Sequence, residues 1–416
     1  MKSGLSRLLP VFDQVLFAAS NFVLAIILAR FHSAEVVAAY GVGLSVALIL
    51  QAMQRHVIII PLNVMKKIRN KKLAHTWLGT HFITTGCMLS FVGVFCSLAT
   101  QLLMSGYVNL VAFSVLALVV VYMQAEFGRA FLIATNRTAF VIVPAFLQIS
   151  AVLYIASTGF DEPYGYLKIL SVLVSVSVVS AVLLVFLAGG VEWIHGDRLL
   201  RRLMRKYAGW GTAGVIASSG YNHVPLFVLG VYAAPIQAAA FVTMRNLLQP
   251  SQVLMRGLDI VDKRKVGGLR YQNTSSMQGK AFRLCLIYAS IAALFATAVI
   301  LAGDHISRLV YGPKYAEFAH LLIPWGAVYV LMALLYPLES LAYASDKTNT
   351  YYSIRIVAGL TAASVSFPLV WNFGAAGAVI SCLIGWLITV GSTFLLLRKS
   401  DGRMLNTADM GKPGEA

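Results

Sequence analysis

Long apolar runs recur along the whole chain, separated by short polar segments. Each run is long enough to cross about 30 Å of hydrocarbon as a helix, which takes about 18 or more residues. The runs cover residues 9–31, 36–63, 77–103, 107–133, 139–158, 166–188, 209–231, 235–261, 281–302, 318–344, 351–371 and 374–397. The pattern therefore predicts an all-α integral membrane protein with about twelve transmembrane helices.

Composition agrees with this pattern. Hydrophobic residues make up 59% of the 416 residues and charged residues only 12%, and the mean hydropathy is +0.78. The segments between the apolar runs are too short for a soluble domain. The first run is too long for the core of a signal peptide, so we interpret it as an uncleaved anchor.

Basic residues are concentrated on one side of the predicted topology. The runs KKIRNKK (66–72), RLLRRLMRK (198–206) and DKRK (262–265) all fall on the side of the N-terminus. Because basic loops stay in the cytosol, we predict that both termini are cytosolic. Most of the net charge of +17 is explained in this way. These loops would also attract anionic membrane lipids, and no nucleic-acid partner is implied.

The second half of the sequence echoes the first. A shift of the sequence on itself without gaps superposes three pairs of polar residues: Asn21 with Asn222, Gln51 with Gln252, and Arg55 with Arg256. The spans then form two pseudo-symmetric six-helix bundles in the same orientation around a central cavity. We predict an N-terminal lobe over 1–206, a C-terminal lobe over 207–398 and a cytosolic tail over 399–416.

The echoed arginines are the first candidates for a binding site. Gln51 and Arg55 are four residues apart and share one helical face, as do Gln252 and Arg256. Charged side chains within membrane spans usually face the bundle interior or a wet cavity, so these faces are predicted to line the central cleft. The alternative is that both arginines reach the headgroups at the cytosolic surface. Arg245 lies deeper in its span, which favours a cavity or a paired position.

Acidic residues within the spans are candidates for gating or ion coupling. Asp259 lies three residues from Arg256 and could neutralise it, which would make the pair structural. The others lie in the cytosolic halves of their spans: Asp13, Glu126 and Glu339, together with Arg129. They could bind H⁺ or Na⁺, or form ion pairs, for example between Arg129 and Glu339. The sequence leaves these possibilities open.

No pattern in the sequence predicts a metal, a cofactor or a catalytic group. The four cysteines are not closely paired, no HExxH is present, and no GxxxxGK[ST] could hold ATP phosphates. We therefore expect a protein that is not an enzyme and is not driven by its own ATPase.

The segment DQVLFAASNFVLAIILARFHSAEVVAAYGVGLSVALILQAMQRHVIIIPL (13–62) resembles the start of the O-antigen-type (Wzx-like) polysaccharide flippases. These belong to the multidrug/oligosaccharidyl-lipid/polysaccharide exporter superfamily. The similar features are an Asp-Gln pair in helix 1, Ser20-Asn21 in mid-helix, a short turn with Glu35, and AAYGVGLS. Twelve helices in two equal halves extend the similarity over nearly the whole chain.

This resemblance implies export of an undecaprenyl-pyrophosphate-linked oligosaccharide across a bacterial inner membrane by alternating access. In that family a cationic central cavity receives the sugar-pyrophosphate head, and the positions that match it are Arg55 and Arg256, and less closely Arg245 and Arg129. The amides of Gln51, Gln252, Asn21 and Asn222 are available for sugar hydroxyls. Polysaccharide polymerase and glycosyltransferases of the same pathway are the implied partners, in surface or exopolysaccharide synthesis.

Three other classes of protein share parts of this pattern. A drug or metabolite antiporter of the same superfamily would favour acidic residues in its cavity, whereas the cavity candidates here are mainly basic. A major-facilitator transporter would carry a GxxxD[RK]xG[RK]-like turn where this chain has PLNVMKKIRNKKL. A membrane polymerase or glycosyltransferase would need a catalytic constellation, commonly on a sizeable loop. The membrane potential could drive outward movement of an anion without ATP.

Overall fold

The structure is a computed structural model that describes residues 2–60, 71–103, 105–158, 165–191, 198–268, 274–345 and 347–398. Part of the basic run 66–72 and the predicted tail 399–416 lie outside these described residues. Every element of regular structure within them is helical.

Six helices form the first half of the chain. They are α1 (Lys2–Phe31), α2 (Ala34–Gln54), α3 (Lys71–Leu103), α4 (Gly106–Ala134), α5 (Ile142–Ser157) and α6 (Gly165–Ala188). Ser33 caps α2, because its hydroxyl accepts a hydrogen bond from the backbone N–H of Val36. At its other end α2 continues through a π-helical turn, Arg55–Ile59. Such turns are rare and frequently lie at functional sites.

Seven helices form the second half. They are α7 (Arg198–Asn222), α8 (Val224–Tyr232), α9 (Pro235–Gly268), α10 (Thr274–Leu301), α11 (Gly303–Tyr311), α12 (Leu322–Ala344) and α13 (Thr348–Arg398). A 3₁₀ segment, Pro313–Leu321, leads into α12. Prolines lie inside three of these helices, at Pro250 in α9, Pro337 in α12 and Pro368 in α13.

The predicted class, an all-α multi-pass membrane protein, is confirmed. Within the described residues, nine helical segments are long and apolar enough to cross a membrane. One of them, α13, has 51 residues and a break at Gly374, so it accounts for both of the last two predicted spans. The remaining predicted spans correspond to α7 with α8, and to α9, whose basic ends lower their hydropathy.

Several predicted boundaries were wrong. The span 209–231 is not continuous, because the helix breaks at His223 and Pro225 follows at the start of α8. The segment expected as an outer loop at 303–317 contains α11. The basic segments expected as loops are partly helical, since α7 begins at Arg198 and α9 extends to Gly268. The predicted lobe boundary at 206/207 falls inside α7, and the division into lobes stays a prediction.

The helix pairings of the first half recur in the second. In the first half, α2 and α3 pack on α4, α4 packs on α6, and α1 packs on α5. In the second half, α9 and α10 pack on α12, α12 packs on α13, and α8 packs on α13. With α13 as the counterpart of both α5 and α6, each pairing of the first half has a counterpart in the second. This is the arrangement that the sequence echo predicts.

The two halves meet along α2 and α9. A side chain at Gly41 in α2 would overlap the side chain of Val242 in α9, so the backbone of α2 packs directly against α9 at this point. Near the same end, Lys314 donates a hydrogen bond to the carbonyl of His32, 2.8 Å away. We call the opposite end, where α2, α4, α9 and α12 finish and α3, α7 and α10 begin, the basic end.

Gly374 joins the two spans of α13. Its backbone has φ 55° and ψ −129°, a conformation that favours glycine. The side-chain oxygen of Gln237, at the start of α9, accepts a hydrogen bond from the N–H of Ala375 at 2.9 Å. One side chain of α9 therefore satisfies a backbone donor that the break exposes.

Candidate binding site in the second half

A polar stripe follows one face of α9. Arg245, Gln252 and Arg256 are separated by seven and four residues, so all three lie on the same side of the helix. The two arginines are three turns apart, which is about 16 Å along the axis. Arg245 is half-buried and Arg256 is exposed. The stripe therefore carries one cation near the middle of α9 and one near the basic end.

An aromatic stripe on α12 faces these cations. The Cζ atom of Arg245 lies 6.0 Å from the ring centroid of Trp325, within the range of a cation–π interaction. The hydroxyl of Tyr329 donates to the backbone carbonyl of Arg245 at 3.1 Å. Three turns from Trp325, the hydroxyl of Tyr336 accepts a hydrogen bond from Nε of Arg256 at 3.3 Å. Arg245 and Arg256 thus each have an aromatic partner on α12.

A cavity lies beside Arg245. It is small, with about 20 Å³ of usable space, which is room for one or two water molecules. Its lining comes from four spans and is uncharged apart from one arginine: Tyr221, Asn222, Arg245, Gln252, Trp325, Val328, Tyr329, Met332 and Cys382. Three residues predicted from the sequence, Asn222, Arg245 and Gln252, are therefore brought together in one cavity.

The predicted neutralisation of Arg256 by Asp259 is absent. Arg256 donates to the neutral Tyr336, whereas a carboxylate oxygen of Asp259 accepts from the hydroxyl of Ser340 at 3.5 Å. Within the described residues, neither Arg245 nor Arg256 forms an ion pair. Glu126, in α4, lies near enough to Arg256 to attract it across the two halves.

Arg55 lies on the π-helical turn of α2 at the basic end. Its side chain is exposed, and it has no ion pair or hydrogen bond in the part of the chain that the structure describes. The neighbouring His56 lies within electrostatic range of Glu339 and Arg355 of the second half. Glu339 itself accepts a hydrogen bond from the hydroxyl of Tyr343 at 2.8 Å. Neither Arg55 nor Arg256 lines the cavity beside Arg245.

The remaining acidic candidates form a buried ion-pair cluster in the first half. Nη1 of Arg129 lies 2.7 Å from Glu126, and its Nε binds Asp13 of α1. The side chains of Arg129 and Asp13 are 10% and 4% exposed, so both charges are nearly removed from solvent. Arg129 also lies over the ring of Phe17, 5.7 Å from its centroid. The Arg129–Glu339 pair considered from the sequence is therefore not formed.

The echoed amides have different environments in the two halves. In the first half, Gln51 donates to the carbonyl of Tyr122 at 3.2 Å, and Asn21 accepts from Gln148 at 3.3 Å. In the second half, Gln252 and Asn222 both line the cavity. Asn222 also accepts a hydrogen bond from Nε1 of Trp386 at 3.2 Å. Both amides of the first half thus bond to neighbouring helices, whereas both amides of the second half line the cavity and Asn222 also bonds to a neighbouring helix.

Sequence reasoning missed the aromatic residues of α12. Trp325, Tyr329 and Tyr336 recur at intervals of four and seven residues, which places them on one helical face. This spacing matches that of the basic stripe on α9 and could have indicated that the two faces meet. Among the described residues, no group of three His, Cys, Asp or Glu side chains is arranged to hold a metal ion.

Solved structures with the same arrangement of helices cover almost the entire chain. An inward-facing multidrug resistance MATE family transporter of the MOP superfamily matches with a TM-score of 0.65 at 14% identity, over 97% of this chain and 96% of its own. The chain has the MOP-superfamily transporter fold. The lipid II flippase MurJ, in an inward closed conformation, shows that fold with a TM-score of 0.71 at 13% identity, over 99% of this chain and 94% of its own.

A third MOP structure, a transporter from Pyrococcus furiosus described by the reverse polarity of its binding pocket, matches with a TM-score of 0.59 at 14% identity. It covers 95% of this chain and 93% of its own. No protein-family model and no curated protein sequence matches the chain. The similarity is therefore one of fold.

Proposed function

We propose that this protein exports an oligosaccharide linked to a polyprenyl pyrophosphate, of the undecaprenyl type, across a bacterial inner membrane. Both termini lie in the cytosol in this proposal, and the cargo serves surface or exopolysaccharide synthesis. The protein acts by alternating access between its two halves, in a pathway with a polysaccharide polymerase and glycosyltransferases. It is thus a flippase of the O-antigen type on the MOP fold.

The observation that carries the proposal is the charge of the cleft. Arg55, Arg245 and Arg256 have no carboxylate bound to them among the described residues, whereas Asp13 and Glu126 are both held by Arg129. Guanidinium groups that no carboxylate binds favour an anion, and they bind phosphate oxygens in bidentate geometry. A pyrophosphate diester is such an anion. Its transfer through the hydrocarbon of the membrane without such partners would cost a large free energy.

The same observation weighs against the second candidate, a cation-coupled drug or metabolite antiporter. Cationic drugs need acidic or electron-rich partners, and the cavity beside Arg245 contains a cation and no carboxylate. Two of the solved structures point in different directions here, since one is a multidrug transporter and another a lipid II flippase. The Pyrococcus furiosus transporter, described by the reverse polarity of its binding pocket, is a precedent for inferring function from pocket charge on this fold.

The arrangement also supports a path for the head group. Arg55 and Arg256 lie at the basic end, where a head group entering from the cytosol would arrive first. Outward movement of an anion across an inside-negative membrane is favoured by about 2.3 kcal/mol of free energy per charge per 100 mV. In this proposal the two exposed arginines are the entry contacts, and the membrane potential contributes to the driving force. H⁺ or Na⁺ coupling at Asp13 or Glu126 would add to it.

The test is complementation of a bacterial strain that lacks its own flippase. We expect Arg55→Ala and Arg256→Ala each to lower surface glycan per molecule of inserted protein by about tenfold or more, because a charge-assisted hydrogen bond is lost. Lysine at either position should restore export only in part, since it keeps the charge and loses the planar fork. Arg308→Ala, an exposed arginine of α11, is the matched control.

The outcome that would overturn the proposal is full export by the variant that carries both Arg55→Ala and Arg256→Ala. The two arginines would then be anchors at the headgroups. Resistance to cationic drugs that depends on this protein, without any change in surface glycan, would favour the antiporter.

A further inference from the structure

His81 of α3 is a buried titratable side chain in the first half, away from the cleft arginines. It is 1% exposed and lies about 15 Å along the helix from Lys71, where α3 begins at the basic end. Its ring stacks face to face on Phe127 of α4, with 3.9 Å between the ring centroids and 2° between the ring planes. The protonation state of such a ring depends on the hydrogen-bond partners around it.

Two glutamine side chains bind the ring at its two nitrogens. The Nε2 group of Gln54 donates to Nδ1 of His81 at 2.9 Å, and Nε2 of His81 donates to Oε1 of Gln124 at 2.9 Å. The hydroxyl of Thr85 lies 3.3 Å from the same Nδ1 atom. Because Nδ1 accepts and Nε2 donates, the ring is the neutral imidazole with its proton on Nε2.

One amide rotation converts this arrangement into a site for the protonated ring. An imidazolium needs an acceptor at each nitrogen, and Gln124 already presents its oxygen. If the amide of Gln54 turns over, its Oε1 atom faces Nδ1 and accepts the second N–H bond. That oxygen is buried and has no hydrogen-bond partner among the described residues. The rotation therefore exchanges one unpaired amide group for another and leaves the protonated ring fully bonded.

Charged side chains on the neighbouring helices are directed away from this network. On α4, Glu126 and Arg129 bind each other and α1, and the ring of Tyr122 also packs on α1. On the π-helical turn, Arg55 is exposed and His56 packs on α7. The titratable residues of α6 lie near its first turn, far from the basic end: Tyr166 and Lys168. Within the described residues the ring has no carboxylate beside it, so a proton on it is costly while this arrangement persists.

The network is joined to the contact that closes the basic end. Gln54 is the last residue of α2, and the π-helical turn Arg55–Ile59 begins directly after it. That turn holds His56 against Gly211 of the second half. A displacement of Gln54 therefore acts on the segment that carries the contact. A ligand that binds the open arrangement better than the closed one shifts the protein towards the open arrangement.

We propose that His81, Gln54 and Gln124 form a proton-binding site, and that a bound proton favours the arrangement in which the basic end is open. The site is separate from Asp13 and Glu126, whose charges Arg129 already neutralises. The proposal does not depend on the cargo.

The test measures the distance between the two halves at the basic end as a function of pH. In a protein without its four native cysteines, nitroxide labels are attached at Asn136→Cys, in the turn between α4 and α5, and at Asn349→Cys, at the start of α13. Both positions are exposed. Double electron–electron resonance in lipid nanodiscs then gives the distance distribution at about pH 8 and about pH 6. We expect the longer distances to increase at the lower pH, by up to about tenfold in the ratio of open to closed protein per pH unit for one proton.

Three variants assign the response. His81→Gln keeps hydrogen-bonding capacity and cannot be protonated, so it should abolish the response. His75→Gln is the matched control on the same helix, where the ring binds the backbone carbonyl of Ala188, and it should respond as wild type does. Gln54→Glu places a carboxylate beside the ring and should move the response to higher pH, because an opposite charge favours the imidazolium. Thermal unfolding checks that each variant is folded, and Gln54→Glu keeps the test decisive if His81→Gln is unstable.

Each contrary result overturns the proposal. Wild-type distances that do not change between the two pH values would do so, and so would an unchanged response in His81→Gln or in Gln54→Glu. Equal loss in His75→Gln and His81→Gln would assign the response to the packing of α3. No glycan is present in this experiment, so its outcome is separate from the export assay on Arg55 and Arg256.

Discussion

His56, on the π-helical turn that follows α2, lies against Gly211 of α7 with no room for a side chain between them. A Cβ atom at position 211 would be 2.6 Å from Cγ and 3.0 Å from Cβ of His56. This is a contact between the two halves at the basic end, and it forms where α2 takes up its π-helical turn. We expect Gly211→Val to lower the stability of this closed arrangement by about 1–3 kcal/mol, as overpacking does.

The measurement for Gly211→Val is thermal unfolding in detergent, with two comparison variants. Gly209→Val places the same side chain on the same helix where no atom lies within 4 Å, so it should have little effect. His56→Ala combined with Gly211→Val should regain stability, because the added volume is compensated. A Gly211→Val protein as stable as Gly209→Val would show that the contact is not tight.

Arg129 is expected to be essential for the stability of the first half. Its removal leaves Asp13 and Glu126 close together and nearly buried without a counter-charge. Breaking a buried ion pair by removing one partner costs about 3–5 kcal/mol. We therefore expect Arg129→Leu to lower the unfolding temperature strongly and to reduce the yield of inserted protein.

Two variants test the cause of that loss. Arg137→Leu makes the same change at an arginine of the first half for which the structure shows no ion pair, and it should be close to wild type. Asp13→Asn and Glu126→Gln added to Arg129→Leu should recover much of the stability, since no charge is then left buried. If the triple variant is no more stable than Arg129→Leu, the cluster acts through packing and not through charge.

The echoed glutamines should respond differently to the same substitution. Gln51→Leu removes a hydrogen bond to the backbone of α4, at a cost of about 1 kcal/mol of stability, and should leave export unchanged. Gln252→Leu removes an amide from the cavity wall and should lower export with little change in stability. Thermal unfolding and surface glycan, measured on both variants side by side, check this. Identical effects would contradict the difference between the two halves.

The orientation of the protein can be tested by cysteine labelling in intact cells. In a variant without its four native cysteines, we expect Asn70→Cys and Asn273→Cys to be protected from an impermeant reagent, because basic loops stay in the cytosol. Glu317→Cys, on the exposed segment before α12, should react. Reaction at position 70 or 273 would invert the topology and the entry side of the cleft.

The apolar runs were sufficient to predict most of the helices, because length and hydrophobicity alone determine whether a segment can cross a bilayer. They could not show where a helix breaks or continues. His223 interrupts an apolar run, and the break depends on the local backbone beside Pro225. Conversely, the apolar pattern could not show that the break between the last two spans is confined to Gly374, where Gln237, from a distant part of the chain, satisfies the exposed N–H of Ala375.

The candidate site was predicted in part for a similar reason. The spacing of Gln252 and Arg256 placed these two on one helical face, and Arg245 was expected deeper in the same span. The cavity contains Arg245 and Gln252. The ion pair between Arg129 and Glu126 could be predicted from their separation of three residues on one helix. Its partner Asp13 lies 116 residues away, and the aromatic partners of the arginines lie on α12. Contacts between distant segments decide these pairings, and a single sequence does not record them.

The prolines of α9 and α12 make the two halves mechanically unequal. Pro250 lies between Arg245 and Arg256, and Pro337 lies beside Tyr336 on the helix that faces them. Each proline removes one backbone hydrogen bond and lowers the resistance of its helix to bending. The corresponding helices of the first half, α2 and α4, contain no proline. The straight parts of α2 and α4 are therefore stiffer than α9 and α12, and the two helices that carry the arginines and their aromatic partners are the ones that bend more easily.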